Sequence, residues 1–552
     1  MIGNGNLVFG TDRDFGPSIG LENLPDHPSR VTVGSTVTIG AEGSLAVGQG
    51  TYTDKDNFQD IGNGNLFFGE DSTTIIHAGQ LGLGNAAFKT EVEGSTVTVE
   101  GGATLVMGGI RYSGDYLITD GFNHSANAQD GQWLGGWTED NLYALPQDGS
   151  GIGWILDMFT KGDQIWVNAQ LEDVQTVYPD ISIPNISNDA MNQVNPEDMG
   201  DKLIQDTLRD NTLSVEEKTH IINSVAEINY AGGAMVSAFG DLDEAMDSID
   251  KRLSFTGEHF NQSGSLIRGY KGGNLWVDIT GGMREVKDLE ATGNMKGGQE
   301  ADTFGFIIGA DYTNIASTAV FGGAIAYTTG SQDATGDWSK TTTDTTSVGL
   351  HAYAAWTPND RFNVVSSMVY QMSNADSTQT IGAAGFGKAE ADMDTNLFAV
   401  GVRGEYRHAI GNTIIVPHVG ARVIHAQSDA FDSKVDGQKT FNHDADATTT
   451  FQMPIGVSVR GEFNTQNGWN VRPQGDFSVI PQFGDVEQTT TVQNVRGVTD
   501  DVTGEFAGKF VTKTSLGVQA QKGQWNLGVE YGMTAGDSTQ NHAIKAKVKF
   551  SF

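Results

Sequence analysis

The chain has 552 residues, more than one ordinary domain holds, so two or three domains are expected. Its 69 acidic residues outweigh 33 basic ones for a net charge of -36, which argues against nucleic acid or anionic lipid headgroups as partners drawn by the overall field. There is no cysteine, which excludes disulfides, thiolate metal sites and cysteine nucleophiles and suits a chain that crosses an oxidising periplasm unfolded.

Glycine is abundant at 72 residues and proline scarce at 12, a balance that favours strands and turns. No apolar run reaches the roughly 20 residues of a membrane helix. Mean hydropathy is -0.29. A transmembrane barrel can have such a mean, because its lipid-facing residues alternate with polar lumen residues. The start, Met1-Ile2-Gly3-Asn4, has no basic segment followed by an apolar stretch, so no signal peptide is visible. If the chain is exported, the sequence is expected to begin partway through its first domain.

Residues 1–109 repeat. Ile2 to Asp12 returns as Ile61 to Asp71, and Gly34 to Gly48 returns as Gly94 to Gly108, both at an offset of about 60 residues. Short runs such as Thr36-Val37-Thr38-Ile39 and Ser44-Leu45-Ala46-Val47, split by glycine turns, predict rungs of a parallel β-helix with a Val/Ile/Leu core. A β-sandwich with a duplicated hairpin is the alternative, less favoured because long-range duplication is uncommon there. Over residues 110–194 the repeat fades and Trp133, Trp137, Trp154 and Trp166 appear, as expected of a cap on the last rung.

Residues 195–255 change pattern. Asn195-Pro196-Glu197-Asp198 reads as a helix start. Ser214-Val-Glu-Glu217 is a capping box that opens a second helix, running through Ile221, Val225 and Ile228 to about Arg252 with a kink at Gly232-Gly233. Its second half is small-sided and acidic, with Asp241, Asp243, Glu244, Asp247 and Asp250.

Residues 256–552 alternate. Twelve strands are predicted at 274–283, 301–314, 318–332, 343–357, 360–374, 393–409, 413–428, 448–464, 468–483, 505–521, 523–536 and 539–552. In the second, Phe304, Phe306, Ile308, Ala310 and Tyr312 share one face; in the last, Ile544, Ala546, Val548, Phe550 and Phe552 oppose Lys545, Lys547, Lys549 and Ser551. Connections alternate long and short until the last pair. Long ones include Arg284–Glu300, Ala375–Asp392, Asp429–Ala447 and Gly484–Gly504, as in outer-membrane barrels with long external loops and tight periplasmic turns. Trp276, Trp356, Trp469, Tyr406 and Phe552 fall near strand ends, where an aromatic girdle belongs. The fold class is therefore all-β: a parallel β-helix, linker α-helices and a 12-stranded antiparallel transmembrane β-barrel, with the barrel expected to be monomeric.

The lumen face holds Arg403, Arg422, Arg460, Arg472, Lys545 and Lys547. Placing the acidic helix inside pairs these cations with Asp241, Asp243, Asp247 and Asp250 in a confined space, where charges interact more strongly than at a free surface. The expectation is a helix that plugs the pore. The alternative is a water-filled channel lined by the same cations, as in a porin.

Residues 214–552 resemble the translocator unit of the type V secretion family, the type Va autotransporters. The resemblance rests on the helix ending Ala245-Met-Asp-Ser-Ile-Asp-Lys-Arg-Leu253, the strand opening Asn274-Leu-Trp276, the twelve strands and the ending Lys547-Val-Lys-Phe-Ser-Phe552. It implies an outer-membrane barrel that exports a passenger to the cell surface. It also implies a barrel-assembly signal at Val548, Phe550 and Phe552, and the assembly machinery, periplasmic chaperones, the lipid bilayer and a surface or host receptor as partners. The N-terminal repeats are similar to the β-helical passenger of that family, and the stretch before the helices to its autochaperone. Some members cleave themselves at an Asn-Asn pair just before this Lys-Arg. The matching positions are Asp247 and Ser248, and a carboxylate is a poor nucleophile for that reaction, so no efficient self-cleavage is expected.

Other motifs carry little chemistry. Asp54-Lys-Asp-Asn-Phe-Gln-Asp60 begins like a calcium loop but has Phe58 at the fifth position and lacks the glycine and closing glutamate. The Gly-Asn-Gly-Asn-Leu runs at Gly3 and Gly62 lack the aspartate of calcium-binding nonapeptides. Asn442-His443-Asp444-Ala-Asp446, in an expected external loop, has metal-ligand residue types, but a solvated loop accounts for it. Gly536-Asp537-Ser538 lacks the following glycine of a protease motif and reads as a turn. No cofactor, metal or catalytic residue is expected. An adhesive or structural passenger that is not an enzyme is the leading reading. An enzyme whose catalytic domain lies upstream, or a porin with a periplasmic appendage, are the alternatives.

Overall fold

The computed structural model describes residues 5–9, 29–33, 37–39, 43–47, 65–69, 72–124, 131–133, 135–145, 149–193, 196–268 and 271–552. Asp54–Asp60, Gly3, Gly62 and Asn195 lie outside them. The residues group into two compact units that interleave along the chain, one of 1–179, 187–197 and 204–215, the other of 180–186, 198–203 and 216–552.

The first unit is a coil of short strands. One sheet gathers Gly5–Phe9, Gly43–Val47, Leu66–Phe68, Thr96–Val99 and Asn123–His124; a second gathers Ser29–Val33, Ser72–His77, Thr104–Gly108 and Leu142–Ala144. Every pairing in these two sheets is parallel. A third sheet continues the coil through Val37–Ile39, Phe88–Thr90 and Gly114–Asp120. It ends on the antiparallel hairpin Trp154–Lys161 and Gln164–Leu171. Successive described strands visit the three sheets in turn, except that Gly43–Val47 and Leu66–Phe68 both lie in the first, and this winding with parallel pairing is the pattern of a parallel β-helix. Leu45, Leu66 and Val97 stack in register and point inward with Phe68, Phe88, Leu105 and Trp137. The duplicated sequences do not stack on one another. Val37 pairs with Phe88 in the third sheet, whereas its repeat counterpart Val97 pairs with Leu66 in the first. The copies of this repeat fall on different sides, whereas Gly5–Phe9 and its counterpart Leu66–Phe68 share the first sheet with Gly43–Val47 between them.

The second unit is a closed antiparallel barrel whose strands join into twelve. These are Gly273–Ala291, Met295–Thr313, Ala319–Gly336, Thr341–Asn359, Phe362–Ala383, Phe386–Tyr406 with His408–Ile410, and Thr413–Ser428 with Phe431–Val435. There follow Gln438–Ala445 with Thr448–Gln452, Ile455–Gly461 and Phe463–Asn464, then Asn470–Gly484 with Glu487–Gln493, Thr499–Glu505 with Phe510–Lys522, Trp525–Gly536 and Thr539–Ser551. The first and last strands close the ring from Asn274 against Ser551 to Val286 against Thr539. Phe304, Ile308, Tyr312, Val402, Ile544 and Val548 face outward, while Asp311, Arg403, Lys545 and Lys547 face the lumen.

The long connections are not loops. The strands run on as paired hairpins, turning only at Thr292–Asn294, Ala384-Gly385, Asp436-Gly437 and residues 494–498. The fifth strand has 22 residues, roughly 70 Å at 3.3 Å each, where about 9–11 residues cross a bilayer. The excess builds a β-walled mouth above the lipid-facing band. His443 belongs to this wall, not to a loop: its ring stacks on Phe431 at 4.6 Å and bonds Ser433 at 3.0 Å. Trp276 is not in a girdle either. It is 1 % exposed and faces inward, donating to the Tyr353 hydroxyl at 2.8 Å.

The predicted long helix is three: Val215–Ala226, Ile228–Ala231 and Ala234–Leu253. It breaks at Glu227 as well as at the glycine pair. Gly233 sits at φ +60°, a left-handed conformation that glycine adopts without strain, with Gln299 packed where a side chain would go. The earlier helix begins at Met199, three residues after Pro196, because Asp198 accepts the N–H groups of Gly200 and Asp201.

Candidate functional site

The helix Ala234–Leu253 runs down the barrel lumen. Twenty residues give roughly 30 Å, the thickness of a bilayer core. Its N-terminal end lies among the long hairpins, where Ser237 donates to Gln332 at 2.8 Å and Gln299 donates to the Tyr230 carbonyl at 3.0 Å. Its C-terminal end lies among the tight turns. There Asn363 donates to the Leu253 carbonyl at 2.9 Å, and Glu405 accepts the Phe255 N–H at 2.9 Å.

Helical spacing sorts the side chains into two faces. Ala245, Ile249 and Leu253 pack with Phe255 and Phe260 against Trp276, Val320, Tyr353, Ala355, Val365 and Val416 of the wall. On the other face Asp243, Asp247 and Asp250 converge on Arg422 of the seventh strand, which reaches Asp247 at 3.0 Å and Asp250 at 3.1 Å. Lys513 of the tenth strand bonds Asp243 and Asp247 from the other side. Asp241 pairs with Arg284 at 3.1 Å and accepts the Ser347 hydroxyl at 2.9 Å. Gly240 leaves the room that Arg284 occupies. Lys251 bonds Glu530 at 3.0 Å, Lys545 pairs with Glu244 at 3.4 Å, and Arg252 bonds Asp311 at 2.8 Å while lying 4.3 Å over the Trp276 ring.

The predicted charge pairing is thus placed in part. The four aspartates face basic wall residues, and of the six predicted cations Arg422 and Lys545 touch the helix. The other four are spoken for elsewhere. Arg403 pairs with Glu405 at 3.0 Å and Lys547 with Glu530 at 3.2 Å, both on the wall. Arg460 donates to the carbonyls of Gly257, Phe260 and Asn261 just after the helix, and Arg472 donates to Asn470 and faces Glu462 at 3.7 Å. Alternation puts a residue inside the lumen but does not say at what height, and height decides which partner it meets. Arg284 and Lys513 were missed. Arg284 lies just past the last apolar outward residue of its strand, in a stretch without amphipathic signal. Lys513 was legible in principle, since it shares the inward face with Ser515.

Asp247 and Ser248 lie in mid-helix. The Asp247 carboxylate is held by the two cations, and the Ser248 hydroxyl donates to Asp278 at 2.6 Å. Val548, Phe550 and Phe552 follow the outward face of the last strand, with Phe550 against Trp525 at 4.9 Å and Phe552 at 6.4 Å. A cavity of about 110 Å³ runs beside the helix along the tenth to twelfth strands, bordered by Glu244, Lys251, Glu530 and Lys545. Among the described residues no group of His, Asp or Glu gathers in a way that could hold a metal ion.

Residues 275–532 match the family model of the autotransporter beta-domain. Among solved structures, the beta domain of the Bordetella autotransporter BrkA is similar at 17% identity and a TM-score of 0.38, covering 51% of this chain and 100% of that one. The translocator domain of NalP from Neisseria meningitidis is similar at 14% identity and a TM-score of 0.39, covering 58% and 99%. The transport unit of AIDA-I from Escherichia coli follows at 13% identity and 0.39, covering 50% and 90%. No curated protein matches the chain.

Proposed function

The chain carries an autotransporter β-domain, so its barrel is an outer-membrane translocator, and from that premise we propose that it exports and anchors its own N-terminal segment at the cell surface. The observation that carries this reading is the helix Ala234–Leu253, which passes through the lumen from the long-hairpin end to the tight-turn end and is the last helix before the first strand, which starts at Gly273. With the tight turns in the periplasm, residues before the helix lie outside the cell. The helix is the part of the exported segment that stays behind, and it closes the pore.

The passenger is adhesive or structural and not an enzyme: residues 1–194 carry no nucleophile elbow and no protease serine motif. An enzyme encoded upstream of Met1 is the alternative, and the full gene decides between them. The passenger stays attached, because Asp247 stands where self-cleaving members have asparagine and its carboxylate is engaged by Arg422 and Lys513. Assembly is directed by Val548, Phe550 and Phe552, read by the barrel-assembly machinery after periplasmic chaperones deliver the chain.

Protease shaving of intact cells, probed with an antibody against residues 1–190, tests display. Loss of the epitope with a protected barrel left behind is expected. An epitope lost only after permeabilisation places the N-terminal half in the periplasm and favours a porin. In planar bilayers the intact chain should conduct poorly, and deleting residues 234–252 should raise the conductance severalfold.

A further inference from the structure

We propose that Asp500 and Arg496, on the hairpin between the ninth and tenth strands, are positioning residues for export: they catch the emerging linker and hold it in the barrel mouth. This rests on the outward passage argued above. The mouth is built from strand length that the membrane crossing does not use, and what fills it is chain that precedes the lumen helix.

The Asp500 carboxylate accepts the backbone N–H of Ile186 at 2.8 Å and of Asn185 at 3.2 Å, and the Asn185 side-chain amide at 2.8 Å. Arg496 makes a two-point bond to Asp201, with both contacts at 2.6 Å. Asp201 is 2 % exposed and Asp500 7 %. Around this pair the fit continues. Asn223 accepts from the N–H and hydroxyl of Ser182 and donates to the Asp180 carbonyl at 2.8 Å. Asn294, in the turn between the first two strands, donates to the Asp180 carboxylate at 2.6 Å.

These partners are about 300 residues apart, so the bonds form only when the barrel stands and the linker has reached its outer end. Retreat of the linker strips donors from a buried carboxylate and leaves backbone N–H groups without acceptors. Pulling back therefore costs more than staying, and each segment that arrives is retained.

The absence of cysteine makes the test clean, because Ser182→Cys introduces a single thiol at a position 2 % exposed. Maleimide labelling of the full chain in detergent, with barrel folding checked by heat-shifted gel mobility, is expected to be slow. Asp500→Ala or Arg496→Ala should speed it at least tenfold in folded barrels. Reversing the ion pair, Arg496→Asp with Asp201→Arg, should restore slow labelling where either reversal alone does not. In pulse-labelled cells, the same alanine variants should delay surface appearance of the 1–190 epitope severalfold with the barrel equally inserted. Labelling unchanged by Asp500→Ala, failure of the reversed pair to restore protection, or an undelayed epitope overturns the proposal. Failure of the export reading looks different: the epitope is then sheltered in the unsubstituted chain as well.

Discussion

Strands such as Thr96–Val99 of the N-terminal coil and Met295–Thr313 of the barrel alternate with a period of two, and they bury opposite halves of it. In the coil, Leu45, Leu66 and Val97 stack inward and form the core. In the barrel, Phe304, Ile308 and Tyr312 point out, while Asp311 on the same strand points into the lumen and is 6 % exposed. The strand grammar is shared. What differs is the medium outside each unit, water for one and lipid for the other, and the lumen inherits the polar chemistry that lipid rejects. An inside made of charges has to be satisfied pair by pair, whereas an inside made of hydrocarbon has only to be filled.

The sharpest way to break that contrast is to leave the lumen unsatisfied. Arg422→Ala removes the cation on which Asp243, Asp247 and Asp250 converge, leaving Lys513 to pair with Asp243 and Asp247 and the Ser367 hydroxyl to bond Asp250. Unpairing a buried ion cluster costs about 3–5 kcal/mol. Denaturant unfolding of the refolded barrel should show that loss, together with increased conductance as the helix loosens. A loss below about 1 kcal/mol would mean that the apolar face of Ala245, Ile249 and Leu253 holds the helix by itself. On the opposite surface, Val402→Arg places a charge on the lipid-facing side, where the expected cost is about 2–4 kcal/mol near the bilayer midplane. Folding titrations in lipid vesicles check it. A loss no greater than that of Val402→Thr would mean this face does not meet lipid.

The same contrast explains what was legible in the sequence. Strand number and facing were readable wherever one half of the alternation was apolar, as from Phe304 to Tyr312 or from Ile544 to Phe552. The signal stopped at the rim of the lipid band. Beyond it Asp302, Ser331, Asp344, Asp376 and Asp392 pair in one row across five strands and face outward, while Thr343, Thr345 and Ser377 are buried. With both faces polar, a strand looks like a loop, and the sequence pattern predicts long loops where the paired hairpins of the mouth stand. The acidic helix was recognisable by composition, but its pairing with Arg284 and Lys513 depended on height within the lumen, which alternation does not encode. Trp276 misled for a related reason: an aromatic near a strand end fits a girdle or a lumen equally well, and here it serves as the surface under Arg252.

The smallest expected effect is one of slope, and it belongs to the mouth, which lies between the two media and has a little of each interior. Glu227 sits at the break between Val215–Ala226 and Ile228–Ala231, fully buried in a setting more like the coil's core than the lumen. Burial pushes its carboxyl well above the usual range; Ser182 and Trp338 pull it back in part, and Asp337 adds to the rise. A carboxyl raised in the folded state keeps its full contribution while pH is below its unfolded value of about 4.3, and loses it as pH climbs to the folded value. The mouth should therefore weaken as pH rises from the acid range toward neutrality. Glu227→Gln, which cannot ionise, should flatten that dependence and leave the acid-side stability almost unchanged. Unfolding midpoints measured across pH, with Trp338 as the fluorescent reporter among single-tryptophan variants, give the two slopes. Parallel slopes would mean that Glu227 stays ionised inside the mouth, and that this region satisfies its charges as the lumen does.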